Sequence, residues 1–352
     1  MRKLALLLHE SEVTFKEYVK IKETFNDVEE LEKKQLELRK IVSEEKSKLI
    51  IANIQTIEKD IIQMDKMGVD YIICSDEKFP DTLRHIAEPP YLIYYMGNIE
   101  LINKFSIAVI GSRKPTSYGI FAANKFAKEL SERGIVIISG FAMGIDSESH
   151  RCVVNHGGET IGILGTSFDN MYPRSNIKFA KEMIEKNNLI ITEYPLSKDT
   201  KPYHFVQRNR LISGLSQGLL VIEAGIKSGT LTTVDFALDQ GKNIFAIPGN
   251  INSPNSIGTN NLIKFGAKMT LSCEDILEEY KNIDFETEKQ IEKITFSETE
   301  KRIIDTLKKE GAQNIEKIAF FTNIQIKDIM GILNILEIKG VVKDLGNSIY
   351  SL

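Results

Sequence analysis

The chain has 352 residues, enough at roughly 100–200 residues per domain for two or three domains with real cores. Hydrophobic residues make up 42% and charged residues 27%, a balance that excludes a disordered chain. The formal net charge is −4, from 45 Lys plus Arg against 49 Asp plus Glu, and taken whole it argues against a nucleic-acid binder, which usually carries a basic footprint.

At the N-terminus the apolar run Leu4 to Leu8 ends at His9 and Glu10, too short for a secretory segment, and no stretch approaches a membrane span. Residues 27 to 49 contain no Gly or Pro, are rich in Glu, Lys and Leu, and predict helix, which continues over 54 to 67. Short extended segments follow at 71 to 74 and 91 to 96, around the breaker pair Pro89-Pro90. The domain expected here is helical and spans 1–70.

From residue 71 to 273 the pattern changes. Apolar strands are expected at 107–110, 135–138, 160–164, 189–192, 219–222 and 244–247, separated by helical stretches such as 120–133, 177–186 and 230–240. Continuous apolar strands alternating with amphipathic helices imply an α/β fold, a parallel sheet covered on both faces, with ligands beyond the carboxyl ends of its strands. An acidic linker, 274–296, then leads to a domain at 297–352. It reads as three helices and a hairpin with a turn at Gly346-Asn347, the winged-helix pattern. Its third helix pairs Lys327 with Asp328 and Glu337 and spaces Ile326, Ile329, Leu333 and Leu336 as core, which favours a structural or protein-contact role over DNA reading.

Divided by region, the net charge takes on meaning. Residues 1–103 carry −5 and 274–296 carry −5, 297–352 are neutral, and 104–273 carry +6. The strand-rich middle is therefore the part that attracts a polyanion. The three cysteines, Cys74, Cys152 and Cys273, form no CxxC pattern, and His150 and His156 are not on one helix face, so no metal is expected.

Four strand ends in this region run into Gly- and Ser-rich loops: GSRKPTSYG from Gly111, SGFAMGID from Ser139, EAGIKSGTLTT from Glu223, and PGNINSPNSIGTNNLI from Pro248. Such loops present backbone N–H groups at helix N-termini, where anions are favoured. None is GxGxxG or GxxxxGK[ST], which disfavours a nicotinamide dehydrogenase or a P-loop ATPase. The densest basic segment, KPYHFVQRNRLISGLS from Lys201, interleaves Lys201, Arg208 and Arg210 with Tyr203, His204 and Phe205. Cations for phosphates and rings for bases are what single-strand binding requires. Asp146 is expected to stabilise a helix start and Glu223 to pair with a neighbouring arginine.

In order and spacing these motifs, with GILGTSFDNMYP, ITEYP, IPGN and GTNNLIKFGA, resemble the DprA (Smf) family of DNA-processing proteins. The resemblance spans about residues 70–350, from FPDTLRHIAEPPYLIYYMGN to LEIKGVVKDLGNSIY. It implies an extended Rossmann-like domain over 71–273, a sterile-alpha-motif-like N-terminal domain and a winged-helix tail. It also implies a cytoplasmic, non-enzymatic, cofactor-free homodimer that binds single-stranded DNA and loads RecA recombinase on incoming strands in natural transformation, with single-strand-binding protein a further partner. Carried over by motif, the DNA-binding positions are Gly111, Ser112, Arg113, Lys114, Gly140, Gly144, Lys201, Phe205, Arg208, Asn209, Arg210, Ser228, Gly229 and Thr230. Met143 replaces the family's usual basic residue, and Val206 its proline. The rival readings are a LOG-like nucleoside monophosphate hydrolase, whose acids after the Gly-Thr pair are absent here, and a nucleotide-sensing Rossmann module.

Overall fold

The computed structural model describes residues 2–283, 285, 297–338, 341–344, 346 and 348–351. Most of the expected acidic linker, 284 and 286–296, and Asn347 of the expected turn lie outside the described residues. The chain divides into two compact units, 1–287 and 288–352.

The larger unit is built on one nine-stranded sheet. Its strands are β1 (Asp70–Ile73), β2 (Leu92–Gly97), β3 (Ser106–Ile110), β4 (Val136–Ser139), β5 (Thr160–Leu164), β6 (Leu189–Thr192), β7 (Gly218–Val221), β8 (Asn243–Ala246) and β9 (Lys268–Met269). They lie in the order β1-β2-β6-β5-β4-β3-β7-β8-β9. From β6 to β9 all neighbours are parallel, and only β1 and β2 run antiparallel. The winding reverses between β3 and β7, and at that reversal the loops leaving the two strands diverge to opposite sides and open a crevice.

Alternation along each strand explains why the apolar runs are continuous. Ile107 and Val109 face one layer, packed with Ala123, Phe126 and Leu130 of the helix Ser117–Glu132 and Val153 of the helix Ile145–Asn155. Ala108 and Ile110 face the other, with Leu211, Ile212 and Leu215 of the helix Pro202–Leu215 and Val234 of the helix Gly229–Asp239. Both faces are dry, so both sets of residues must be apolar.

The six N-terminal helices share a core with this sheet. Leu4 to Leu8 are all buried in the helix Arg2–Glu10, in one cluster with Tyr91, Leu92 and Tyr94 around β2 and with Ile190 of β6. The helical stretch expected over 27–49 is interrupted: Lys34 leaves helical geometry after Val28–Lys33, and Ser43 caps a fresh helix, Glu44–Ile54, by accepting from the Lys46 N–H. Glu–Lys–Leu composition did not show the break because nothing in it stops a helix locally; the bends bring Leu31, Leu38 and Ile50 to one core.

In the smaller unit the helices Glu298–Glu310, Ile315–Thr322 and Ile326–Ile338 are joined by a three-stranded sheet, β10 (Gln313–Asn314), β11 (Lys343–Asp344) and β12 (Ile349–Ser351), in the order β10-β12-β11. Ile329, Leu333 and Leu336 are buried as their spacing predicts, whereas Ile326, at the first turn of its helix, is exposed.

Where the N-terminal helices meet the sheet, Glu10 accepts a hydrogen bond from the Tyr94 hydroxyl at 2.8 Å. Burial raises its carboxyl from 4.5 to about 7, against the Tyr94 bond and assisted by Asp60. Folding thus favours the protonated form, and this contribution to stability is present below about pH 4.5 and is lost as pH rises through about 7. Urea unfolding should show Glu10→Gln gaining on the wild type between pH 5 and pH 8; an unchanged difference would contradict this.

Candidate nucleic-acid interface

At the reversal between β3 and β7 lies a cleft of about 320 Å³. Three loop-to-helix junctions surround it, because each parallel strand here ends in a turn that feeds a helix. The loop after β3 contributes Gly111, Ser112 and Arg113; the loop after β4 contributes Ala142 and Asp146; and the loop after β7 contributes Ser228, Gly229 and Thr230. Phe205, Val206, Arg208, Asn209 and Ile212 of the helix Pro202–Leu215 complete the lining. The positive dipole ends of helix N-termini suit anionic oxygens.

The floor is set by Arg208. It is buried, donates to the carbonyls of Gly140 and Ile163 at the ends of β4 and β5, and lies beside Asp146. Asp146 in turn accepts from the N–H of Gly140 at 3.1 Å and of Ala142 at 3.4 Å. Burial pulls the Arg208 guanidinium down to about 10; Asp146 resists the fall and Arg113 adds to it. Arg208 is therefore cationic at neutral pH. Burial likewise raises the Asp146 carboxyl, with Arg208 opposing. A Cβ at Gly140 would stand 2.8 Å from both Arg208 Nη2 and Asp146 Oδ2, so any side chain there would push one of these groups from its place.

Glu223 holds the rim. It is buried and accepts from the Thr116 N–H at 3.0 Å, the Thr116 hydroxyl, and Asn255 Nδ2 at 3.2 Å. Asn255 also donates to the Lys114 carbonyl at 2.9 Å. The expected arginine partner for Glu223 is absent among the described residues: its partners are neutral donors, and it joins three loops, with Thr116 lying 107 residues and Asn255 32 residues away in the sequence. Across the cleft Thr230 Oγ1 donates to the Gly111 carbonyl at 3.1 Å, and Asn209 Nδ2 to Thr232 Oγ1 at 3.1 Å.

The positions carried over by motif separate into groups. Gly111, Ser112, Arg113, Phe205, Arg208, Asn209, Ser228, Gly229 and Thr230 line one cleft. Arg113 and Lys114 are exposed, with no acidic side-chain partner among the described residues. Gly140 and Gly144 act from behind, Gly144 at φ +83°. Lys201 is exposed where the helix Pro202–Leu215 begins. Arg210 is directed elsewhere: it forms an ion pair with Glu193 at 2.6 Å and donates to the Glu88 carbonyl at 3.1 Å, so it is held, not free. Phe205 packs over Gly165, where a Cβ would meet its ring at 2.8 Å, and edge-to-face on Tyr172. Asp146, Glu223 and Asn255 support the cleft without a motif signal of their own as clamps; their role depends on partners distant in sequence.

Residues 70–281 match the family model for DNA recombination-mediator protein A. Among similar proteins, DNA processing protein DprA of Bacillus subtilis is 39% identical over 215 residues, covering 61% of this chain and 72% of that protein. The Streptococcus pneumoniae DprA is 38% identical over 205 residues, 58% of this chain and 72% of that protein. The crystal structure of the Streptococcus pneumoniae protein superposes with a TM-score of 0.67 at 30% identity, covering 78% of this chain and 96% of that one. DNA processing protein A from Helicobacter pylori, whose single-stranded DNA binding mode is the subject of its structure, gives a TM-score of 0.54 at 29% identity over 60% of this chain and 96% of that one.

Gly144 gives a direct test of the loop geometry. A Cβ there would stand 2.3 Å from the Ser112 carbonyl oxygen, at a φ that L side chains rarely adopt. Gly144→Ala is expected to lose more than about 1 kcal/mol in urea unfolding; wild-type stability would contradict the close approach of the two loops.

Proposed function

Since this chain belongs to the DNA recombination-mediator protein A family, we propose that it binds single-stranded DNA at the cleft between β3 and β7 and delivers the strand to RecA recombinase during natural transformation. The observation that carries the reading is the pairing of exposed Arg113 and Lys114 with three helix N-termini around one crevice, in the region whose net charge is +6. Phosphates would be held by those cations and by N–H groups of the loops at Gly111–Arg113 and Ser228–Gly229, the Thr230 N–H being taken by Ser228 Oγ at 3.2 Å. Phe205 offers a ring for a base. No covalent chemistry is assigned: Asp146 and Glu223, the acids nearest the cleft, are both committed to hydrogen bonds that hold loops.

We further propose a homodimer, formed where the sheet ends at β9. Leu238, Phe265, Met269 and Leu271 are all at least half exposed there, next to an edge strand with only one neighbour. A second copy would cover both the apolar area and the unpaired edge, and two clefts on one strand would raise affinity without new contacts. Single-strand-binding protein is a further expected partner, since it occupies the same substrate. Among the described residues no helix is long and apolar enough to cross a membrane, and action in the cytoplasm is proposed with the function.

Titration of oligothymidylate across a salt series tests the site. Arg113→Ala and Lys114→Ala should each weaken binding and each reduce the slope of log affinity against log salt by about 1, whatever the sequence of the strand. Arg208→Ala should also weaken binding, with a fall in unfolding stability that the two surface variants do not share. Wild-type affinity and slope in both surface variants would remove the cleft from consideration.

A further inference from the structure

The basic motif has two faces. Phe205, Val206, Arg208, Asn209 and Ile212 line the cleft already described. On the opposite side of the same helix, Tyr203, His204, Gln207 and Arg210 line a second, larger cleft of about 770 Å³, between the N-terminal helices and the sheet. Positions 203, 207 and 210 repeat at intervals of four and three, and 205, 208, 209 and 212 do likewise half a turn away, so the sequence divides between two sides of one helix. The helix is about 10–12 Å across with its side chains, short enough for a strand to pass from one cleft to the other over its exposed start.

The two clefts differ in chemistry. Around the second, Lys16, Lys198 and Arg210 are balanced by Glu12, Glu88 and Glu193. Lys198 pairs with Glu12, and Arg210 with Glu193. A phosphate gains little from cations so committed. Rings, in contrast, are plentiful. Tyr194 and His204 are stacked at 4.2 Å, Tyr203 stands edge-on to His204 at 4.6 Å, and His9 and Tyr91 contribute from the N-terminal side. Burial drops the His9 imidazole to about 4, so it adds no charge near neutral pH. Tyr203 is 51% exposed, and its hydroxyl, the Gln207 amide and the second carboxylate oxygen of Glu193 have no partner among the described residues. Neutral balance, aromatic walls and unpaired hydrogen-bonding groups suit a planar uncharged heterocycle, and the volume lies within the roughly 300–1,000 Å³ typical of small-ligand sites.

We propose that the second cleft receives a base of the same single strand whose phosphates occupy the first, the strand crossing the start of the helix Pro202–Leu215 beside Lys201. This rests on the single-strand reading above and adds a division of labour: one face of the helix serves the backbone, the other a base. It also gives Arg210 a purpose, since its pairing with Glu193 fixes one carboxylate oxygen and leaves the other turned to a ligand.

Tyr203 and Gln207 are exposed, so their substitution leaves the core intact, and thermal melts of each variant would verify that. The full chain is titrated with oligothymidylates of increasing length and, separately, with thymidine monophosphate. Tyr203→Ala should lower affinity for long oligomers roughly tenfold, leave oligomers too short to span the helix unaffected, and shorten the length at which affinity saturates. Tyr203→Phe should restore the ring and most of the affinity, while Gln207→Ala should change the preference among bases. Arg113→Ala, in the same series, should weaken every oligomer. Wild-type behaviour of Tyr203→Ala and Gln207→Ala at all lengths, with Arg113→Ala impaired, would overturn the second cleft alone. Wild-type behaviour of Arg113→Ala as well would overturn the first. A loss confined to thymidine monophosphate would mean a free nucleotide site and would equally overturn the proposal.

Discussion

A buried guanidinium organises this molecule. Arg208 reaches from the middle of a helix to the carbonyls that end two adjacent parallel strands, and Asp146 supplies the compensating charge. A buried cation is tolerated only where hydrogen bonds and a nearby opposite charge offset its desolvation, and here the two carbonyls supply the first and Asp146 the second. Its value lies in specification. The helix cannot slide along the sheet without leaving a desolvated cation unpaired, so the loops after β3, β4 and β7 converge on one place. Glu223 does the same at the rim with neutral donors, and the two residues define a rigid frame around a polar crevice.

That frame separates two kinds of cation. Arg208 and Arg210 are committed to the protein, one to carbonyls and one to Glu193, whereas Arg113 and Lys114 are exposed at the mouth. Committed cations set local potential and fix geometry; exposed ones exchange counterions for phosphates and give binding its dependence on salt. The overall −4 and the +6 of the middle region are compatible on this basis, because the excess acidity lies in the flanking segments 1–103 and 274–296 of the sequence.

Much of the fold was legible in the sequence. Six strands of the parallel sheet fall within one residue of their apolar runs, because a strand buried on both faces must be apolar throughout and is easily seen. The loops with Gly and Ser were legible for the same local reason. What was hidden depends on partners distant in the chain. The antiparallel β1 and β2 extend the sheet through pairing with β6, which no local pattern announces. The start of the motif helix at Pro202, well before Arg208, turns half of the basic motif away from the crevice, a division visible only once the helical phase is known. Glu223 was expected to meet an arginine because acids near basic loops usually do; its real partners lie in two other loops. The short breaks in the N-terminal helices bring Leu31, Leu38 and Ile50 to one core, and of them only the restart at the Ser43 cap carries a local signal.

Photocrosslinking tests the central claim most directly. Irradiating the full chain with a thymidylate oligomer carrying photoreactive bases and mapping the adducts by mass spectrometry would locate the strand without any substitution. Adducts in the segments 111–114, 201–209 and 228–230 are the expected result. Adducts confined to residues 297–351, with those segments unmodified, would contradict single-strand binding at the reversal of the sheet.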